Sequence, residues 1–311
     1  MAESAPGLYR GRFAPSPTGP LHFGSLLAAC ASYLQARASG GQWLLRIENI
    51  DAPREQPGAD ELIIAALAAF GFEWDGPVLY QSARKSRHLE LINRLLNDRQ
   101  AYPCSCSRTD LARARRGPLG AIYPGTCRNG CTGKRVAIRL LTDLQPVSFQ
   151  DRLQGRQSQC LELETGDFVI KRRDGLIAYH LAVVADDHDQ EISEIVRGID
   201  LMDSTPRQIL LQQRLGFATP RYLHIPVAVD AQGQKLSKQT RAPALDLTRQ
   251  GPTLVAAFKA LAQSPPEELA HASLGDIWEW AIRHWSIRML AGQTSVAVND
   301  YPLAAARNGL S

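Results

Sequence analysis

Two short segments of this 311-residue chain carry side chains suited to handling phosphate. The first is Arg12-Phe13-Ala14-Pro15-Ser16-Pro17-Thr18-Gly19-Pro20-Leu21-His22-Phe23-Gly24-Ser25, which reads as a strand, a turn and a helix N-terminus. A helix N-terminus offers unpaired N–H groups and the positive end of a dipole to an anion. Gly19 and Gly24 permit close backbone approach, and His22, just ahead of the helix, is placed to donate to a phosphate oxygen. The second is Gly233-Gln234-Lys235-Leu236-Ser237-Lys238-Gln239, two lysines in a glycine-flanked loop that follows a strand. Two compact ammonium charges on such a loop suit a clamp on polyphosphate. An ordinary strand-to-helix loop and a solvated surface loop have the same compositions, so each segment alone leaves both readings open.

A third group suits a metal. Four of the six cysteines, Cys104, Cys106, Cys127 and Cys131, crowd into 28 positions. In a reducing compartment such a cluster is a metal site more often than a disulfide framework. Thiolates favour zinc in a tetrahedral site, so the residues alone give a four-thiolate zinc site or no metal. Around the cysteines lie eight basic residues (Arg108, Arg113, Arg115, Arg116, Arg128, Lys134, Arg135 and Arg139) and one acid, Asp110. That is a surface for a polyanion or a solvated loop. Cys30, at helical spacing among Leu26, Leu27, Ala29 and Tyr33, reads as a core residue.

The elements that must position these groups follow from periodicity. Leu8 to Ala14 alternates as a strand, Gly24 to Ser39 carries two apolar helical stripes and ends at Gly40-Gly41, and Trp43 to Glu48 suits a buried strand. Strand, helix, strand is the unit of a parallel sheet. Helices are expected at Asp60 to Phe70, Ser86 to Arg99 and Asp203 to Leu215. Strands are expected at Phe168 to Lys171, Ile192 to Val196 and Leu223 to Val229. The cysteine-rich stretch from about Ala101 to Gly133 reads as an insertion, with alternation resuming at Arg135 to Leu140. Two further helices fall near Leu254 to Ala262 and Ile277 to Leu290.

Composition bounds the class. Hydrophobic residues make up 44% and charged residues 21%, with a net charge of +4, which fits a globular chain and excludes a disordered one. No run of roughly 18 apolar residues offers a membrane span, and Met1 to Arg10 lacks the apolar core of a signal peptide. A cytoplasmic monomer without membrane contact is the expectation.

Found together and 213 positions apart, the two phosphate-type segments resemble the signature pair of the class I aminoacyl-tRNA synthetases. His22-Phe23-Gly24-Ser25 is similar to the HIGH motif, with Ser25 in place of the second histidine. Lys235-Leu236-Ser237-Lys238-Gln239 is similar to KMSKS. Ala14-Pro15-Ser16-Pro17-Thr18-Gly19, Arg46-Ile47-Glu48-Asn49-Ile50-Asp51, and Asp186-Asp187-His188 followed by Val196-Arg197-Gly198 resemble the glutamyl and glutaminyl branch. Asn49 stands where the branch has an aspartate.

The resemblance implies an α/β fold, a Rossmann-like doubly wound parallel sheet with a zinc-bearing insertion and a small helical C-terminal domain. The divisions would be 1–100 (first half of the catalytic domain), 101–165 (acceptor-binding-like insertion), 166–240 (second half, with the KMSKS-like loop) and 241–311. It implies a ligase in which a carboxylate attacks the α-phosphate of ATP, giving an aminoacyl-adenylate and pyrophosphate. His22, Lys235 and Lys238 would be catalytic, and His22, Gly24 and Lys238 would bind ATP together with magnesium. Arg12, Phe13, Ala14, Pro15, Ser16, Glu48, Tyr179 and Arg197 would hold glutamate: Arg12 and Arg197 in the amino-acid pocket, Glu48 on the ammonium, Tyr179 lining the pocket. In short glutamyl-synthetase paralogues the metal pattern is C-x-C and then Y-x3-C. By that pattern the set is Cys104, Cys106, Tyr123 and Cys127 on one structural zinc, with Cys131 set aside.

Only 72 residues follow Gln239, too few for the anticodon-reading region of a full glutamyl-tRNA synthetase. The expectation is therefore the short branch, which activates glutamate without tRNA and transfers it to the queuosine base in the anticodon of tRNA(Asp). Queuosine's cyclopentene diol resembles the vicinal diol of a terminal ribose. A conventional synthetase charging a tRNA 3′ end and a non-catalytic zinc-containing RNA-binding protein are the alternatives.

Overall fold

A computed structural model describes residues 8–230, 232–236 and 243–298. The chain enters as β1 (Arg10–Phe13), crosses over through α1 (Phe23–Ala38) and returns as β2 (Gln42–Ile47). β2 lies parallel to β1 in the register Arg10↔Gln42 to Phe13↔Leu45. α1 is apolar on two sides because it is covered on two sides: Leu26, Leu27, Cys30, Ala31 and Leu34 are all fully buried. It ends where Gly40 takes φ +62°, a backbone conformation that glycine adopts without strain. α2 (Ala59–Ala69) then leads to β3 (Leu79–Tyr80), parallel to β2, and α3 (Lys85–Asn97) follows.

The insertion holds β4 (Ala101–Cys104), the one-turn helix α4 (Arg108–Ala112), a small hairpin of β5 (Arg116–Gly117) and β6 (Gly120–Ala121), and β7 (Ala137–Leu140). Next come the hairpin β8 (Val147–Asp151) and β9 (Gly155–Gln159), the short α5 (Leu161–Glu164) and β10 (Phe168–Lys171). β10, β7 and β4 form a three-stranded antiparallel sheet. The second half continues with α6 (Tyr179–Asp189), β11 (Glu194–Gly198), α7 (Thr205–Leu215), β12 (Arg221–Ile225) and β13 (Val227–Val229). The single expected strand from Leu223 to Val229 is two, because Pro226 has no N–H for the ladder.

β11 pairs parallel with β12, and Asp151 at the end of β8 pairs with Tyr222 on the far side of β12. The two halves meet along β1 and β11, where the Ser193 N–H donates to the Arg10 carbonyl at 2.9 Å and the Arg10 N–H to Ser193 Oγ at 2.9 Å. Strand order across the junction is thus β3-β2-β1-β11-β12, winding outward in both directions from one crevice. Open α/β sheets bind ligands in that crevice, beyond the carboxyl ends of the strands. Arg12, Glu48 and Arg197 all lie at or next to such ends.

α8 (Gln250–Ala260) and α9 (Leu274–His284) close the outer face of α1, and β14 (Ser295–Ala297) pairs parallel with β13. Phe258 and Trp278 share a buried cluster with Leu27, Tyr33 and Phe72. The Trp278 ring meets Tyr33 edge-on at 4.8 Å, and its indole N–H donates to the Phe70 carbonyl at 2.9 Å. Burying an aromatic side chain of this kind contributes about 2–3 kcal/mol, so the carboxyl-terminal helices hold α1, and with it the His22 end, in place. Among the described residues no helix is long and apolar enough to cross a membrane.

Candidate active site and metal centre

The crevice between β1 and β11 is built on buried charge. Arg12, at the end of β1, donates from Nε to Asp187 Oδ1 at 3.0 Å, and Arg46 on β2 donates to the same oxygen at 2.6 Å. Asp187 sits on α6, so one carboxylate ties three elements together. Burial works against its charge, but the two guanidiniums win and hold its pKa below the usual carboxylate range. Arg46 is fully buried and also donates to Glu48 Oε1 at 3.4 Å. Burial pushes the Glu48 carboxyl up, against the pull of Arg46 and Arg12.

Glu48 lines a cavity of about 180 Å³ together with Ser16, Thr18, Gln81 and Tyr179. Burial raises the Tyr179 phenol, Arg197 and Arg12 lower it, and Glu48 raises it, so these four sequence-selected residues act on one another across the crevice. Phe13 is placed otherwise. Its ring is stacked parallel to Trp43, with centroids 6.3 Å apart, in the core, so only its backbone is available to a ligand. Pro15 anchors the turn, accepting from the Glu48 N–H at 2.9 Å through its carbonyl, and Ala14 lies half-buried beside it.

Arg197 is the most demanding group in the crevice. It is 5% exposed. Its Nε contacts His224 Nε2 at 3.0 Å and its Nη2 donates to Thr205 Oγ1 at 2.8 Å, while its Nη1 is buried with no partner among the described residues. A buried, charged N–H without an acceptor is unfavourable. A ligand carboxylate in the crevice would remove that penalty.

The two phosphate-type segments meet in space. His22 caps α1, accepting the Ser25 N–H at Nδ1 (3.3 Å), with Nε2 3.0 Å from Ser25 Oγ. The ring is thus bonded to the serine that replaces the second HIGH histidine. The Leu236 carbonyl lies over Gly24: a Cβ there would stand 2.7 Å from that oxygen and 3.2 Å from the His22 ring. Leu21 and Leu245 are bonded through their backbones at 3.0 Å, which draws the chain beyond the lysine loop onto the same spot. Lys235 donates to Asp200 Oδ2 at 2.6 Å. Lys238 lies outside the described residues, as do Ser237 and Gln239.

In the insertion, Cys104, Cys106 and Cys127 bring their sulfurs within 4.8 Å of one another. Cys106 and Cys127 are 3.6 Å apart, close to the separation of about 3.8 Å that two thiolates 2.3 Å from a tetrahedral zinc would have. The Tyr123 hydroxyl lies 3.3 Å from Cys104 Sγ and 3.7 Å from Cys106 Sγ, and accepts the Cys127 N–H at 3.0 Å. Cys131 packs beside the cluster but is not among the three convergent thiols. The donor set therefore fits a zinc ion with the tyrosine oxygen in fourth place. Burial raises the Cys127 thiol, yet hydrogen bonds from Tyr123 and the Ser105 backbone bring it down to about 7. The Arg139 guanidinium, 3.9 Å from the Tyr123 ring centre and donating to Cys104 Sγ at 3.3 Å, offsets the negative charge of such ligands.

The basic run divides. Arg128 donates to both Asp167 oxygens at 2.7 Å, and Arg139 donates to the Asp167 carbonyl at 2.7 Å, so these two hold the insertion together. Arg113, Arg115, Arg116, Lys134 and Arg135 are exposed and form the solvent-facing cationic part. The sequence showed Arg46 within a motif, Thr205 within an expected helix and His224 within an expected strand, but assigned no role to any of them or to Asp151.

Comparison with known proteins agrees with this layout. A sequence profile for class I tRNA synthetases (E and Q), catalytic domain, matches residues 9–250. A protein of Dechloromonas aromatica named glutamyl-Q tRNA(Asp) synthetase is 52% identical over 293 residues, 93% of this chain and 97% of that protein. A protein of Pseudomonas fluorescens with the same name is 50% identical over 297 residues, 95% of this chain and 98% of that protein. A crystal structure of a glutamate tRNA ligase from Elizabethkingia meningosepticum in complex with its amino acid superposes with a TM-score of 0.77 at 24% identity, covering 94% of this chain and 68% of the other. At that identity the likeness concerns the fold.

Proposed function

The chain belongs to the class I glutamyl- and glutaminyl-tRNA synthetase family, and on that premise we propose that it joins L-glutamate to ATP and passes the glutamyl group to queuosine in the anticodon of tRNA(Asp). The glutamate α-carboxylate attacks the α-phosphorus of ATP. The bond to the bridging oxygen breaks, pyrophosphate leaves, and glutamyl-adenylate remains. A hydroxyl of the queuosine diol then attacks the acyl carbon, an ester forms, and AMP leaves.

Chemistry of this kind needs positioning and charge stabilisation rather than a side-chain nucleophile. Arg197, with its unpaired Nη1, and Arg12 take the side-chain carboxylate of glutamate, where a guanidinium fork suits a carboxylate. Glu48 takes the ammonium, and Tyr179 and Ser16 close the cavity. His22, Gly24 and the Lys235–Lys238 loop receive ATP, which brings its own magnesium. One zinc on Cys104, Cys106, Tyr123 and Cys127 serves as a structural tie between loops of the insertion.

The observation that carries this reading is the meeting of the Leu236 carbonyl with Gly24 in a fold that also holds a cavity lined by Glu48 and Tyr179. The acceptor is supported by the names of relatives at 52% and 50% identity. The test is transfer of labelled glutamate to three RNAs: tRNA(Asp) with queuosine, tRNA(Asp) without it, and tRNA(Glu). The reading expects label on the first alone. Label on tRNA(Glu) makes the protein a conventional synthetase, and label on none leaves a zinc-containing RNA-binding protein.

A further inference from the structure

We propose that His224, fixed by Asp151, is a positioning residue that aims the Arg197 guanidinium at the side-chain carboxylate of the amino-acid substrate. The proposal rests on the glutamate reading of the crevice. Arg197 on β11 and His224 on β12 are direct cross-strand partners in a parallel pair, so their side chains leave the sheet on the same face. Asp151, at the end of β8 on the other edge of β12, reaches the same histidine. Three neighbouring strands thus supply a row of carboxylate, imidazole and guanidinium, with His224 fully buried and Asp151 1% exposed.

The proton positions follow from the partners. Arg197 Nε always carries a hydrogen and never accepts. At 3.0 Å it requires a lone pair on His224 Nε2. The imidazole proton is then on Nδ1, where it donates to Asp151 Oδ2 at 2.7 Å. Asp151 is oriented in turn, since its Oδ1 accepts the Leu153 and Gln154 N–H groups, each at 2.9 Å. Thr205 Oγ1 accepts from Arg197 Nη2 at 2.8 Å and lies 3.2 Å from His224 Nε2. Two of the three guanidinium nitrogens are therefore fixed by side chains behind the crevice, and the third, Nη1, is left buried without a partner among the described residues. An aspartate that sets a histidine tautomer, and through it the orientation of the next group, is an established device in other active sites.

The variant that isolates this role is Asp151→Asn. Its amide oxygen, in the Oδ1 place, keeps the Leu153 and Gln154 N–H groups, and its NH2, in the Oδ2 place, then faces His224 Nδ1 and also the His224 N–H, which donates to Oδ2 at 3.2 Å in the unaltered protein. The proton is displaced to Nε2, where two donors confront each other at Arg197. The expected result in ATP–pyrophosphate exchange is a rise of about tenfold or more in the KM for glutamate, the size set by losing a charge-assisted hydrogen bond, with the KM for ATP within twofold of the unaltered enzyme. Nitrogen-15 spectra of the full-length protein should show His224 with Nε2 unprotonated, and the opposite tautomer in Asp151→Asn.

A second pair guards against a misfolded variant. His224→Gln brings an amide oxygen near the Nε2 position and should recover most of the glutamate affinity. His224→Asn, which reaches only the Nδ1 position, should not. Parallel losses for both substrates in the two variants would mean a structural role alone and overturn the proposal, as would an unchanged glutamate KM in Asp151→Asn. If the unaltered protein itself shows no glutamate-dependent exchange, the reading of the crevice fails instead.

Discussion

Replacing Gly24 by alanine puts the meeting of the two phosphate-type segments under direct strain. The added Cβ would stand 2.7 Å from the Leu236 carbonyl oxygen and 3.2 Å from the His22 ring. Carbon and oxygen in ordinary contact are roughly 3.3–3.5 Å apart, so the shortfall is about 0.6–0.8 Å, and against backbone it cannot be relieved by a rotamer. Overpacking of this kind costs about 1–3 kcal/mol, or about 2–6 °C in melting temperature for a chain of this size. The larger effect is on geometry. If Leu236 yields, Leu236 and the neighbouring Lys235 are displaced from the start of α1 by the better part of an ångström, and misplacement on that scale lowers rates about a hundredfold. Glutamate-dependent exchange of label between pyrophosphate and ATP reads this directly: kcat should fall by about that factor, with the glutamate KM little changed, because Arg197, Arg12 and Glu48 lie elsewhere in the crevice. A Gly24→Ala enzyme with unaltered kcat and melting temperature would refute the inference that the Leu236 contact holds the loop in a working position.

Further outcomes follow from the buried charges and the thiols. Asp187→Asn leaves Arg12 and Arg46 buried without their common carboxylate, and should destabilise the protein by about 3–5 kcal/mol in urea unfolding; a change below 1 kcal/mol would mean the cluster is dispensable. Asp151, Asp167 and Asp187 all have depressed pKa values in the fold. Their contribution is fully present above the unfolded carboxylate value of about 3.9 and is lost as pH falls through the folded values. Glu48 and Glu55, whose pKa values are raised by burial, work in the opposite sense, but Asp110, Asp174 and Asp246 are depressed as well. His180, whose pKa burial brings down to about 3, and His224, also lowered by burial, cost stability as pH falls below the unfolded imidazole value of about 6.5. Denaturant midpoints should therefore hold above about pH 7, decline below it and drop further below about pH 4; a midpoint that rises toward pH 3 would contradict the assignment. Cys104→Ser should lower bound zinc, measured by atomic absorption, and the melting temperature before it alters exchange, whereas full metal content in that variant would mean the ligands are elsewhere. Arg139→Ala should weaken zinc retention against a chelator about tenfold or more through loss of the charge beside Cys104 and Tyr123.

Legibility in the sequence followed burial pattern. α1 was plain because its two apolar stripes reflect two packed faces, one toward the sheet and one toward α8 and α9. β1 was plain because Tyr9, Gly11 and Phe13 alternate with Arg10 and Arg12, and β2 because it is a short, mostly apolar run after the Gly40-Gly41 turn. The hairpin of β8 and β9, Val147–Asp151 and Gly155–Gln159, was hidden because much of it is exposed and polar on both strands. α6 was hidden for the opposite reason: Asp186 and Asp187 are buried inside it, so the helix that anchors Arg12 and Arg46 breaks the apolar pattern that would reveal it. α9 stops at His284 although apolar residues continue to Leu290, since Trp285 leaves the helix to bond Gln35 at 2.9 Å. In the site, Arg12, Glu48, Tyr179 and Arg197 were legible through ordered motifs. His224 and Asp151 were not, because their partnership depends on strand register, which spacing along the chain does not encode.

The most direct test of the account is exchange of labelled pyrophosphate into ATP by the purified protein with glutamate and no tRNA. The account predicts exchange that depends on L-glutamate, is not supported by L-glutamine, and is lost in Lys238→Ala. Exchange that is absent, or equal with either amino acid, would contradict the claim that this crevice makes glutamyl-adenylate.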